Sequence, residues 1–432
     1  MLDALRPFTA VCTRVNPATV VDEVDHALRT CMREKRPVHI QIPSDITHLE
    51  IEVPDEPFDV EPWTSDPGRL EQAIDAVAER LSEADSPVLL VDQNTEHYGY
   101  RNLFSQLVEK AQIPYAQLSS GKAVLNENSP LFLGTYPAQV RDKVEQSDLV
   151  ITNNPVFVEA NSASFSTRLP DPDTSVVNIG NRHVRVGNDY FIGVSGEEML
   201  KGLLKTVAPA EPTTIASTAQ PSFEVRPDSP LTQERLWPQL ARFLRPGDVV
   251  HAEAGTSHIG MSGQRFPDDV TYVNSGIWGA IGYTLPATLG SQLAEPRRRH
   301  LLFIGDGSFQ LTAQELSTIL REKLNPIIVL VNNRGYTIER YILGMNDDYN
   351  DIANWRYVDL PKVFCPETDM ASYSAATEGE LAAALQHIEN NPSGAFLEVH
   401  LDPEDAPTAL KKFGPGTAEF DYGPVGPRNP QK

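Results

Sequence analysis

Residues 299–344 read RHLLFIGDGSFQLTAQELSTILREKLNPIIVLVNNRGYTIERYILG. An apolar run over 300–304, the length of a buried strand, stops at Gly305-Asp306-Gly307-Ser308, so a strand ends in an acidic turn. Over 312–324, Leu316, Ile319, Leu320 and Leu324 recur at helical spacing, and Asn325-Pro326 closes that helix. A second apolar run, 327–331, opens onto Asn332-Asn333-Arg334-Gly335. The order is strand, helix, strand, and a right-handed parallel crossover brings both strand ends to one edge of the sheet. Asp306 and Asn333 lie 27 positions apart, long enough for such a crossover, and are expected to meet there.

Two oxygen ligands beside glycine turns suit a hard cation such as Mg²⁺, which takes few protein ligands and completes its octahedron with water and phosphate. Gly307 lets backbone N–H groups approach phosphates, and the N-terminus of the following helix favours their charge. A Gly-Asp-Gly turn alone also serves simply to end a strand. The crossover spacing and the doubled Asn favour the ligand reading.

On these residues the stretch resembles the diphosphate-binding signature of thiamine diphosphate enzymes. Gly335-Tyr336-Thr337-Ile338-Glu339 is similar, more narrowly, to the pyruvate, indolepyruvate and branched-chain 2-oxo acid decarboxylases. The resemblance implies Mg²⁺ held by the side chains of Asp306 and Asn333 and the carbonyl of Gly335. It implies Gly305, Gly307, Ser308, Tyr336, Thr337 and Ile338 around the cofactor, and Glu339 as the acid near the reacting carbon. Read without it, Glu339 is a solvated carboxylate on a helix starting near Thr337.

Upstream, a strand over 248–253 ends at Glu253-Ala254-Gly255-Thr256, where the family places Glu-x-Gly-Thr at the cofactor. Glu253, Gly255 and Thr256 are carried over, with Thr256 near the diphosphate or thiazolium end; as a plain helix cap it would look the same. Ala254 stands where a polar residue is frequent. In Trp278-Gly279-Ala280-Ile281-Gly282 the resemblance implies that the Gly279 carbonyl accepts from the pyrimidine amino group and that Ile281 wedges the cofactor into a V. Without that context, such a segment is ordinary core packing. Ile338 and Ile342, four apart on the Glu339 helix, fit substrate-pocket walls and core positions equally. Arg334 and Leu343 depart from the acidic residue and the His usual at those positions.

At 432 residues the chain is long for one core. The reading is α/β, open parallel sheets flanked by helices, a thiamine diphosphate-enzyme fold with a Rossmann-like middle domain. Residues 1–50 hold one helix (17–34) and one strand (38–43), too little for a core, and resemble the end of the family's pyrimidine-binding domain. A Pro/Asp/Glu-rich linker over 51–66 precedes a middle domain, 67–205. It shows no Gly-x-Gly-x-x-Gly after a strand and is expected to be structural, without nucleotide; Gly99, Gly121 and Gly134 read as turns. A second linker, 206–230, leads to the diphosphate- and Mg-binding domain, 231–414, and a flexible tail, 415–432.

The net charge of −23 argues against nucleic acid and anionic membranes. Cys12, Cys31 and Cys365 are far apart without metal spacing, which reads as reduced thiols. With no leader and no apolar run near 18 residues, a cytoplasmic location is expected.

Decarboxylating a 2-oxo acid leaves electrons that no side chain can delocalise, hence the thiazolium cofactor. In the family a buried Glu that protonates the pyrimidine, and a His pair, sit in the front of the pyrimidine-binding domain. About 125 residues of such a front are expected to be missing, within ordinary domain size. Three readings stand: a shortened copy of a 2-oxo acid decarboxylase, a non-catalytic cofactor-binding protein or partner subunit, and an acetohydroxy-acid-type carboligase, which Gly-Tyr-Thr-Ile-Glu disfavours. The expected partners are a small 2-oxo acid and further copies in a homodimer or homotetramer.

Overall fold

A six-stranded, wholly parallel sheet carries the quoted stretch. The computed structural model describes residues 2–56, 58–213, 215 and 222–422. Numbered along the chain, the strands are β1 (Cys12–Arg14), β2 (His39–Gln41), β3 (Pro87–Val91), β4 (Tyr115–Leu118), β5 (Phe132–Tyr136), β6 (Leu149–Thr152), β7 (Val176–Ile179), β8 (His183–Val186), β9 (Asp189–Ile192), β10 (Val249–Ala252), β11 (Thr271–Asn274), β12 (His300–Gly305), β13 (Ile327–Asn332), β14 (Ala371–Ala375) and β15 (Ala395–His400).

In the C-terminal unit the order is β11-β10-β12-β13-β15-β14. β12 and β13 read as unbroken apolar runs because both faces are covered, one by Trp237, Leu240 and Met261, the other by Leu285, Phe309 and Leu316. From β10 the chain steps to one side for β11 and to the other for β12. The strand order therefore reverses between β10 and β12, and the crevice outside the carboxyl ends at such a switch point is where open α/β sheets place ligands. Glu253 to Thr256 follows β10 there, and Gly305-Asp306 ends β12 beside the end of β13. The helix read over 312–324 is two helices, Asp306–Thr312 and Glu315–Arg321. It opens six residues early because the Asp306 carboxylate accepts the Gly307 N–H at its first turn (2.8 Å).

The middle unit is a seven-stranded sheet ordered β5-β4-β3-β6-β7-β8-β9. A purely parallel sheet was expected here, but β8 and β9 run antiparallel. Only three residues separate β7 from β8 and two separate β8 from β9, too few for a parallel crossover. Gly99 sits in a turn at φ +75°, and Gly121 closes a short 3₁₀ turn. Gly134, read as a turn, lies instead inside β5 at φ +141°, beside a register shift against β4, where a bulge calls for glycine. The crevice beyond β3 and β6 is filled by side chains. Asp92 accepts from Ser120 Oγ (2.5 Å) and Val156 N (2.9 Å), and Asn94 donates to the Asn154 carbonyl (2.6 Å).

At the front, β1 pairs in parallel with β2 beside the helix Val20–Glu34. Ala27 and Val15 are buried while Phe8, Met32 and Ile42 are exposed. The described residues of the Pro/Asp/Glu-rich segment after it form no helix or strand, and Trp63 anchors it between the guanidinium groups of Arg33 and Arg182 (4.1 and 3.6 Å). At the other end a helix, Thr408–Tyr422, runs past Gly414, where the tail was expected to begin; residues 423–432 of that tail lie outside the described residues. Among the described residues no helix is long and apolar enough to cross a membrane.

One buried network joins the two large units. Lys122 donates to both oxygens of Glu127 (2.8 and 3.0 Å) and to the Gln264 carbonyl (2.5 Å), while the Phe266 N–H donates to Glu127 (2.8 Å). Both side chains are about 1% exposed, and Gln117, the Ala123 N–H and the Phe266 ring add to the partners that compensate their charges. The network fixes the two walls of the cleft described next.

Candidate active site

Asp306 is fully buried at the end of β12, accepting from the N–H groups of Gly307 (2.8 Å) and Gly335 (3.2 Å). Burial raises its pKa to about 7, against the pull of those N–H groups. The Asn333 side-chain amide has one end 2.9 Å from the Gly335 carbonyl oxygen and 3.2 Å from Asp306 Oδ1, and its other end 2.8 Å from Thr337 Oγ1. With its NH₂ toward the two oxygens, the amide bridges them by hydrogen bonds. With its oxygen toward them, three oxygens meet at separations close to the edge of an Mg²⁺ octahedron, about 2.9 Å for bonds of 2.0–2.1 Å. Among the described residues no three His, Cys, Asp or Glu converge as a self-sufficient metal site. A cation here would complete its shell with water or with oxygens of a second molecule, and the residues fit Mg²⁺ arriving with a diphosphate.

Glycine makes this geometry possible at two places. Gly335 has φ +141°, and a Cβ there would overlap the Asn350 carbonyl, whose oxygen takes the Tyr336 N–H (2.9 Å). A Cβ on Gly307 would overlap the Tyr336 ring, which lies against the turn. Thr337 opens the helix Thr337–Ile342 and donates to the Pro403 carbonyl (2.9 Å).

Next to this cluster is a cleft of about 990 Å³. Of the residues singled out from sequence, Gly255, Gly279, Ile338, Glu339 and Ile342 line it; a Cβ on Gly255 would lie 3.9 Å from Ile338 Cγ2. Glu339 is half-buried, its carboxylate has no hydrogen bond or ion pair among the described residues, and burial raises its pKa. Burial thus favours the protonated form of this carboxyl over what an exposed glutamate would show. Gly305, Ser308 and Thr256 stand at the strand ends behind the cleft, the last two buried. Gly255, at φ +105°, occupies the position before the helix Thr256–Ser262, so Thr256 is that helix's first residue and not its cap.

The other expected cofactor residues, Glu253, Thr256, Ile281, Gly305, Gly307, Ser308, Tyr336 and Thr337, do not line the cleft, and two of them, Glu253 and Ile281, are placed for other tasks. Glu253 is fully buried and spends its oxygens on Ala254 N (2.8 Å), Thr284 N (3.1 Å) and Thr284 Oγ1 (2.7 Å). It braces the end of β10 against the helix Thr284–Ala294. Ile281 is 39% exposed in the irregular segment 278–283, where Trp278 is 90% exposed and Tyr283 47%. A Cβ on Gly282 would lie 3.1 Å from Leu311 Cβ, which adds the half-exposed Leu311 to that apolar patch.

The opposite wall escaped sequence reading. Ser119, Thr135 to Gln139, Val158 to Asn161, Ala163 and Phe165 of the middle unit line the cleft, together with His258 and the helix Thr408–Tyr422. These loops follow the carboxyl ends of β4, β5 and β6, the positional cue that could have marked them. His258 bonds to the Tyr272 hydroxyl (2.9 Å), and burial, then Lys122, lower its pKa to about 4, so it faces the cleft neutral.

Comparison with known proteins agrees with this geometry. Residues 253–399 match the thiamine pyrophosphate enzyme C-terminal TPP-binding domain, and residues 74–202 the thiamine pyrophosphate enzyme central domain. The chain is 33% identical over 403 residues to a pyruvate decarboxylase of Aspergillus fumigatus, covering 90% of this chain and 70% of the relative. It is 33% identical over 430 residues to a pyruvate decarboxylase of Candida glabrata, covering 96% and 75%. To an alpha-keto-acid decarboxylase of Mycolicibacterium paratuberculosis it is 35% identical over 389 residues, covering 88% and 68%. With the diphosphate-type turn at the switch point and likeness along nearly its whole length, the chain belongs to the thiamine diphosphate-dependent 2-oxo acid decarboxylases.

Proposed function

We propose that this protein decarboxylates a small 2-oxo acid to an aldehyde and CO₂ using Mg²⁺ and thiamine diphosphate. The observation that carries the reading is the meeting of Asp306, Asn333 and the Gly335 carbonyl beside a cleft into which Glu339 projects unpaired. Asp306, Asn333 and Gly335 would hold the metal, and the turns at Gly255-Thr256 and Gly305-Gly307-Ser308 would receive the diphosphate. Gly279, Tyr336, Thr337 and Ile338 would flank the rings, with Ile281 completing the wedge once the exposed 278–283 segment is covered. Glu253 would act by holding the Gly255 turn in place. When bound, the thiazolium supplies the electron sink that loss of CO₂ requires. Glu339 would hold a proton and deliver it at the reacting carbon. Ile338, Ile342 and Leu343 would exclude water, which strengthens every charge interaction inside the cleft.

The division into a remnant (1–50), a middle domain (67–205) and a diphosphate domain (231–414), separated by linkers, is part of this reading. So is a homodimer or homotetramer, because Trp278, Ile281, Tyr283 and Leu311 form an exposed apolar patch beside the cleft that a second copy would cover. A cytoplasmic setting accords with three unpaired cysteines.

The test incubates the full chain with Mg²⁺, thiamine diphosphate and pyruvate, 3-methyl-2-oxobutanoate or phenylpyruvate, and follows the aldehyde by coupled reduction. The expected result is aldehyde formation that requires Mg²⁺ and is abolished in Asp306→Ala. No aldehyde from any of the three acids, or activity in Asp306→Ala equal to that of the native chain, overturns the reading.

A further inference from the structure

The substrate in the proposed reaction is an anion, and the chain as a whole carries a net charge of −23. Glu159 and Glu339 are the acidic side chains among the cleft's lining, the latter holding its proton in the reading above. Some group has to offset that repulsion for a carboxylate to enter. Arg141 is committed: it pairs with Glu145 (3.0 Å) and bonds to the hydroxyl (3.2 Å) and carbonyl of Ser166. Lys122 is sealed in the network between the two units.

Lys412 differs. On the helix Thr408–Tyr422, Ala409, Lys412, Phe413 and Thr417 all line the cleft, and their offsets of three, four and eight from Ala409 are those of a single helical face. That helix packs on the Glu339 helix through Leu410, Phe413 and Tyr341, which fixes its rotation. Lys411 points away and pairs with Asp405 (3.2 Å). Among the described residues the Lys412 ammonium has no hydrogen bond or ion pair, and it stands beside the apolar wall of Phe413, Ile338 and Ile342.

We infer that Lys412 is the group that captures the substrate carboxylate at the mouth of the cleft, with the substrate's side chain lying along Phe413, Ile342 and Leu343. This rests on the 2-oxo acid decarboxylase reading. The placement suits the chemistry. A cation clamped on the carboxylate at the reacting carbon would stabilise the bound anion more than the transition state, in which its charge moves away as CO₂ forms, and would slow the step. A flexible ammonium at the rim, still hydrated, raises capture without holding the leaving group.

The test separates charge from shape and needs no turnover. Binding of 3-phenylpropanoate and of its neutral isostere 3-phenylpropanamide to the full chain is measured by calorimetry in the native protein, Lys412→Gln and Lys412→Arg. The native chain is expected to prefer the acid by about 1.5- to fivefold, the range of an exposed ion pair. That preference disappears in Lys412→Gln, is retained in Lys412→Arg and weakens with added salt. A preference that survives in Lys412→Gln, or a native chain that shows none, including no measurable binding of the acid, overturns the inference. Loss of the preference in Lys412→Gln without decarboxylation of any 2-oxo acid would leave Lys412 an anion-capturing residue and refute only the decarboxylase reading.

Discussion

Replacing Asp306 by Asn separates a cation ligand from an ordinary turn residue, and the structure fixes the sign of each effect. The folded chain holds the Asp306 proton up to about pH 7, against an ordinary value of 3.8. A carboxylate whose pKa is raised on folding subtracts from stability as pH climbs from 3.8 through 7, and the loss is complete above that. Three units correspond to at most about 4 kcal/mol. Asp306→Asn removes this cost, but one of the N–H donors of Gly307 and Gly335 loses its acceptor, about 1–2 kcal/mol. At pH 8 without metal the variant is therefore expected to be more stable than the native chain by about 2–3 kcal/mol. Near pH 4 the advantage vanishes.

Mg²⁺ with thiamine diphosphate should reverse the order at pH 8 by stabilising only the native chain, as any ligand specific for the folded state does. Urea unfolding followed by tryptophan fluorescence measures this, because Trp237, Trp278 and Trp355, three of the four tryptophans, belong to the C-terminal unit. Equal pH slopes for the two proteins between pH 4 and 8, together with equal responses to Mg²⁺, would refute both the burial argument and the ligand assignment.

Glu339→Gln is expected to lower the rate of aldehyde formation by about 10²- to 10⁴-fold, the range of a lost general acid. Cofactor titration of that variant should leave the affinity for Mg²⁺-thiamine diphosphate within about threefold, since Glu339 stands away from the strand-end cluster. Glu127→Ala strands Lys122 as an uncompensated buried charge and deprives Phe266 N and Ala123 N of their acceptor. Chemical denaturation should show a loss of about 3–5 kcal/mol. His251 is fully buried, bonded to Ser291 (2.9 Å), and burial followed by His300 lowers its pKa to about 3. The unfolded chain takes up that proton first, so stability falls as pH drops from 6.5 toward 3, by up to about 1.4 kcal/mol per pH unit. The difference in urea stability between His251→Asn and the native chain should carry this slope, and a flat difference would refute it.

Much of the C-terminal unit was legible because its signals are local. β12, β13 and the turns after them are written in consecutive residues: an apolar run covered on both faces, then glycine and an acid. The same logic located β3, β6 and β7 and the helices Pro67–Glu83 and Arg101–Ala111. β4 and β5, of the same four or five residues as those strands, were missed: Gln117 interrupts the apolar residues of one and Gly134 those of the other. The direction of β8 and β9 depended on connection length, and the bulge at Gly134 on pairing with β4.

The sequence by itself determined the family, the strand ends and the identity of Asp306, Asn333, Gly335 and Glu339 as the residues to examine, because turn chemistry and crossover length act within a few dozen residues. Only the tertiary structure decided what those side chains face. The Asn333 amide meets Asp306 and Gly335 through the register of β12 and β13. Glu253 is turned inward by Thr284, and the far wall of the cleft comes from loops over 100 residues away in the chain. Lys412 faces the cleft, and not its neighbour Lys411, because Leu410 and Phe413 pack on Tyr341 and set the helix rotation. A cleft between two units is a product of long-range packing, and no local pattern encodes which surfaces will face each other across it.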